Sequence, residues 1–152
     1  GKEVEMIAAA SDMGLLTCPY VFTEREAEAM AAAGADVLIP HMGLTTKGTI
    51  GAKTAMALDD AARRVQSLCD AAKRVNPEIL VLCHGGPISE PADARYILSN
   101  TKGGIAQFYD RDMTKEMADE GMKGMQQFVS DPTKLDAILA QLEQTRQRIY
   151  KK

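Results

Sequence analysis

The chain has 152 residues, 45% hydrophobic and 26% charged, the make-up of one globular domain with a sizeable core. A net charge of -3 and an isoelectric point near 5.4 argue against nucleic-acid binding, which needs a basic face. No apolar run approaches the roughly 20 residues that span a bilayer, so no membrane partner is expected. Three cysteines without C-x-x-C spacing fit neither a disulfide framework nor a zinc ribbon and point to a reducing cytoplasm. The start, Gly1-Lys2-Glu3-Val4-Glu5, lacks the apolar stretch of a signal peptide. Gly1 is not an initiator methionine, which leads to the expectation of a piece of a longer protein.

Helical and strand patterns alternate along the chain. Val4, Ile7, Ala8 and Ser11 share one helical face, and Gly14 follows as a stop. Leu15 to Phe22 reads as a short buried strand. Thr23-Glu24-Arg25-Glu26 has capping-box form, in which threonine and glutamate satisfy each other's backbone donors at a helix start. Ala27, Met30 and Ala31 give that helix its apolar face, and Gly34 ends it. Ala35 to His41 is a second strand, whose Val37-Leu38-Ile39 run lacks alternation, as expected where both faces are covered.

A long Gly/Thr segment, Met42 to about Ala57, leads to a helix that opens with Asp59 and Asp60 and closes with Lys73 and Arg74, charges that oppose its macrodipole. Ile79 to Cys83 is a third strand, followed by His84-Gly85-Gly86-Pro87 and a helix with Pro91 in its first turn. Ile105 to Tyr109 is a fourth strand, and two helices, near residues 113–129 and 133–150, finish the chain. The basic residues Arg146, Arg148, Lys151 and Lys152 suit a helix C-terminus. The expected organisation is a single partial domain, with βα units over 1–112 and C-terminal helices over 113–152. Strict alternation implies a parallel sheet with right-handed crossovers. Four such units fit a small doubly wound domain or half of an eight-stranded (β/α)₈ barrel, and the pattern leaves both open.

Either architecture binds ligands at the carboxyl ends of its strands. Both histidines of the chain, His41 and His84, stand at such ends. Imidazoles there can act as general acid and base, ligate a metal or donate to an anion; a strand-end histidine satisfied by a loop carbonyl is the plainer alternative. Gly85 and Gly86 let backbone N–H groups approach an anion with no Cβ in the way, although a tight turn before Pro87 would also account for them. On the anion reading, a β-branched residue at either glycine weakens binding far more than it weakens the fold. Met42 to Gly51 is long for a βα connection. Thr45, Thr46, Thr49, Thr54 and Lys47 suit phosphate or carboxylate oxygens, without the order of a P-loop. Only Glu24 and Asp110 are carboxylates near strand ends, so no Mg²⁺ cluster is visible. The nine methionines read as core filler.

Pro19-Tyr20-Val21-Phe22, the run Met30 to Ala35, His41-Met42-Gly43-Leu44-Thr45-Thr46 with Gly48 to Ala52, and Leu82-Cys83-His84-Gly85-Gly86-Pro87-Ile88 resemble the phosphoenolpyruvate hydrolase-like family. That family is similar in fold to the phosphoenolpyruvate/pyruvate-binding barrels and is related to the barrel of tomato mosaic virus resistance-type proteins. The resemblance runs from about Gly1 to Tyr109 and weakens at Asp110-Arg111-Asp112. It implies that the four strands are the last four of a (β/α)₈ barrel. His84-Gly85-Gly86 then follows strand seven, where many barrels bind phosphate.

Two functions follow as expectations. One is an enzyme acting on a small oxoacid or phosphorylated oxoacid, with His41 and His84 transferring protons and Thr45, Thr46, Gly85 and Gly86 holding the anionic substrate. The cofactor is unknown, and Mg²⁺ is implied by family analogy only. The other is a non-catalytic ligand-sensing or protein-interaction barrel, as in virus-resistance and signalling relatives. The expected partners are a small anionic substrate and either the N-terminal half-barrel or a second copy of the chain.

Overall fold

The computed structural model describes residues 1–44, 56–107 and 113–150, so Thr45, Thr46, Lys47, Thr49, Thr54, Tyr109 and Asp110 lie outside the described residues. Two compact units divide at Phe108 and Tyr109.

In the first unit, helix α1 (Lys2–Asp12) precedes three βα units and a fourth strand. Strand β1 (Tyr20–Val21) leads to α2 (Glu24–Ala32), and β2 (Val37–Pro40) to α3 (Leu58–Val75). Then β3 (Leu80–Cys83) leads to α4 (Pro91–Ser99), and β4 (Ile105–Gln107) follows. The four strands are parallel and stand side by side in chain order, β1-β2-β3-β4. A doubly wound sheet reverses its strand order at a switch point. This sheet advances one strand at a time in one direction, as half of a (β/α)₈ barrel does.

Local chemistry accounts for the element ends. The Thr23 hydroxyl accepts from the Glu26 N–H (3.2 Å), and the Glu26 carboxylate accepts from the N–H groups of Thr23 (3.0 Å) and Phe22 (2.8 Å). This is the expected capping box, extended by one donor. Before α4, which opens on Pro91, the Asp93 carboxylate gathers the N–H groups of Ser89 (3.2 Å) and Glu90 (3.1 Å). Gly14 and Gly34 take the left-handed φ values of 73° and 87° that reverse the chain after α1 and α2.

Strand β1 is far shorter than the stretch Leu15 to Phe22 promised. The Val37 and Ile39 N–H groups do reach the carbonyls of Thr17 (3.1 Å) and Pro19 (2.9 Å). Pro19, however, has no N–H to return to the Val37 carbonyl, which removes one rung of the ladder. The Thr17 N–H turns instead to the Asp36 carboxylate (2.8 Å).

One face of the sheet is dry. Val21, Leu38, Pro40, Val81 and Cys83 pack against Ala27, Met30 and Ala31 of α2, Val65, Leu68 and Cys69 of α3, and Ala94 and Ile97 of α4. The other face was expected to be covered and is largely open: Tyr20 is 50% exposed and Leu80 61%, and Cys18, Phe22 and Ala106 are exposed as well. In a closed barrel these side chains fill the interior layers, to which all eight strands contribute. Four strands alone present them to water.

The second unit is a helical hairpin of α5 (Lys115–Ser130) and α6 (Leu135–Ile149), joined by a 3₁₀ turn over Pro132–Lys134. Thr114 caps α5 by accepting from the Met117 N–H (3.3 Å). Gly124 permits close helix approach, since a Cβ there would stand 2.9 Å from the Ile138 Cγ2 methyl. Glu116–Arg148 and Glu120–Gln141 link the two helices on their polar sides. No helix among the described residues is long and apolar enough to cross a membrane.

Candidate functional site

The pairing of β2 with β3 decides where the two histidines meet. Val37 lies opposite Leu80 and Leu38 opposite Val81, a register that carries on past both strands to a parallel bridge between His41 and His84. The Met42 N–H donates to the His84 carbonyl (2.9 Å), and the His84 N–H to the Pro40 carbonyl (3.3 Å). Side chains opposite each other in a ladder point to the same face. The imidazoles accordingly meet edge to face, with centroids 4.8 Å apart and planes at 88°.

Two aromatic side chains of the first strand region complete the cluster. Tyr20 lies 4.9 Å from the His41 ring and 5.6 Å from that of His84, and Phe22 lies 5.6 Å from His41. The Tyr20 hydroxyl is 3.3 Å from His84 Nε2. Sequence reasoning missed both as site residues. The signal that could have found them is period two: Tyr20 and Phe22 flank the fully buried Val21 and must point away from the helices.

His41 is held by its own connection. The Gly43 N–H donates to His41 Nδ1 (3.2 Å), so Nδ1 carries the lone pair. In the neutral ring the proton then sits on Nε2, and His41 offers a donor.

Gly85 and Gly86 have φ values of 89° and 58°, a region that side chains other than glycine rarely adopt. A Cβ on Gly85 would stand 2.4 Å from the Gly43 carbonyl oxygen and 3.4 Å from His41 Nε2; one on Gly86 would stand 2.3 Å from the Met42 carbonyl oxygen. The Gly86 N–H donates to the Gly43 carbonyl (2.8 Å), and the Ile88 N–H to the Gly85 carbonyl (3.1 Å). The expectation that a β-branched residue here would spare the fold is therefore corrected. The missing Cβ atoms make room for the neighbouring backbone, and a Cβ on Gly85 would also come against His41 Nε2.

Thr45 and Thr46, expected beside these residues, fall outside the described residues. A cavity of about 530 Å³ is lined by Tyr20 and Phe22 together with Glu3 and Val4 of α1 and Arg25 and Glu26 of α2, and neither histidine is among its lining residues. Among the described residues no group of three or more histidine, cysteine, aspartate or glutamate side chains could hold a metal ion.

The profile of a family described as phosphoenolpyruvate hydrolase-like matches residues 1–130. The ToMV susceptible protein tm-1 and the ToMV resistance protein Tm-1, both of Solanum lycopersicum, are each 59% identical over 109 residues, which is 72% of this chain. The chain spans 14% of the length of each of these relatives. A solved structure of a FabK variant from Thermotoga maritima aligns with a TM-score of 0.41 at 18% identity, covering 77% of this chain and 37% of its own.

Proposed function

The chain belongs to the phosphoenolpyruvate hydrolase-like family, and on that premise we propose that it carries part of the active site of an enzyme acting on a small oxoacid or phosphorylated oxoacid. The reaction class is cleavage of a C–P, C–O or C–C bond beside a carboxylate. The observation that carries this reading is the pairing of His41 and His84, with imidazole centroids 4.8 Å apart at the carboxyl end of the sheet. Bond cleavage beside a carboxylate needs one proton delivered and one removed, and two adjacent imidazoles can divide that work. The Nε2–H of His41 is a donor from which a carboxylate or enolate oxygen of the substrate can accept. Thr45, Thr46 and the Gly85-Gly86 turn are assigned the remaining anion contacts, with Gly85 the better placed of the two glycines because the Gly86 N–H holds the Gly43 carbonyl.

Mg²⁺ is implied by analogy with related barrels. It prefers oxygen ligands in octahedral array, and the strand-end donors among the described residues are imidazoles, so these residues do not fit it. No step here is routed through a metal.

A second reading, a non-catalytic ligand-sensing or partner-binding barrel, draws on the 59% identity to the tomato virus-susceptibility and virus-resistance proteins. One experiment separates the two. The protein is incubated with a panel of small oxoacids and their phosphorylated forms, with and without Mg²⁺, and products are followed by NMR. Turnover that falls by about 10²–10⁴-fold in His41→Gln and in His84→Gln supports the enzyme. Binding without turnover supports the sensor.

A further inference from the structure

We propose that Tyr20 is a positioning residue whose hydroxyl holds His84 in the tautomer opposite to that of His41, so that the site presents one imidazole as donor and the other as acceptor. The proposal rests on the reading of the two histidines as the proton-transfer pair.

The two rings have different partners. His41 Nδ1 receives a backbone N–H from Gly43, which places its proton on Nε2. His84 Nε2 faces the Tyr20 hydroxyl at 3.3 Å. The Tyr20 hydroxyl has a proton to donate, and a neutral imidazole nitrogen accepts it well. With Tyr20 donating, the lone pair of His84 is on Nε2 and its proton on Nδ1. The backbone thus sets one tautomer and a side chain the other.

Tyr20 is fixed for this task by its register. It lies opposite Ile39, one inward-facing step below His41, and its ring touches both imidazoles. Carrying the Tyr20 oxygen away from His84 requires moving the ring, which would disturb both ring contacts. Phe22 meets His41 but has no hydroxyl, so its contribution is packing alone. Because Tyr20 is half exposed, its hydroxyl can yield to one from a substrate, which then meets an imidazole already in its accepting form. Unlike prolonged proton exchange between two equivalent rings, this arrangement gives the pair a direction.

The chain has two histidines, so each imidazole is assignable in a long-range ¹H–¹⁵N spectrum of the full chain at neutral pH. The expected spectrum has a lone pair on Nε2 of His84 and on Nδ1 of His41. In Tyr20→Phe, which keeps the ring and loses the hydroxyl, the two His84 nitrogen shifts move toward each other as the tautomers mix, while His41 is unchanged. In Phe22→Leu, with the hydroxyl intact, the His84 pattern stays. A wild-type His84 protonated on Nε2, or a His84 pattern identical in wild type and Tyr20→Phe, overturns the proposal. The spectra are independent of turnover: the expected shifts in a protein that converts no oxoacid would uphold the role of Tyr20 and reject the enzyme reading.

Discussion

The Gly86 N–H donates to the Gly43 carbonyl oxygen at 2.8 Å, and this bond ties the turn after β3 to the connection after β2, next to both histidines. The turn is thus part of the scaffold that holds the site as well as a candidate contact for a ligand.

Replacing Gly86 with alanine is expected to destabilise the protein by at least about 1–2 kcal/mol, the cost of a left-handed backbone for a residue with a Cβ. The 2.3 Å approach to the Met42 carbonyl adds to this. Denaturant unfolding of wild type and variant measures it. An unchanged midpoint would mean that the turn relaxes freely and has no scaffold role.

At the opposite end of the sheet, the Asp36 carboxylate accepts from the Thr17 N–H (2.8 Å) and hydroxyl (3.0 Å). These hydrogen bonds, the backbone one first, hold its pKa below the usual carboxylate value. A depressed folded-state pKa adds stability that is present above the unfolded value of about 3.9 and is lost as pH falls through the folded value. Wild type should lose stability on acidification below about pH 4, and Asp36→Asn should flatten that part of the curve. Parallel curves in a series of melts from pH 6 to pH 2.5 would show that Asp36 contributes nothing there.

The open face of the sheet leads to a prediction about association. Leu80 is 61% exposed and Tyr20 50%, on a face that a barrel would bury. An apolar surface of this kind beside the edge strands β1 and β4 favours self-association. We expect the 152-residue chain to associate with rising concentration, through a second copy or, where they are supplied, through further βα units. Leu80→Lys should weaken this without lowering the melting temperature of the monomer. Static light scattering over a concentration series checks it, and a concentration-independent monomer would rule it out.

Much of this protein is legible in the sequence because much of it is local. The capping box at Thr23 and Glu26, the stops at Gly14 and Gly34, and the alternation of helices with apolar strands depend on residues within a turn or two of one another. So does the position of His41 and His84 at strand ends. Tertiary structure decided the rest. Strand order separates half a barrel from a doubly wound sheet, and it is a property of pairings between segments some 20 to 40 residues apart, which periodicity does not encode. The same holds for the register that sets His41 against His84, for the reach of Tyr20 to His84 Nε2, and for the backbone neighbours of Gly85 and Gly86. Proline 19 shows the two levels meeting: its identity is written in the chain, but the rung it removes exists only once β1 lies beside Val37.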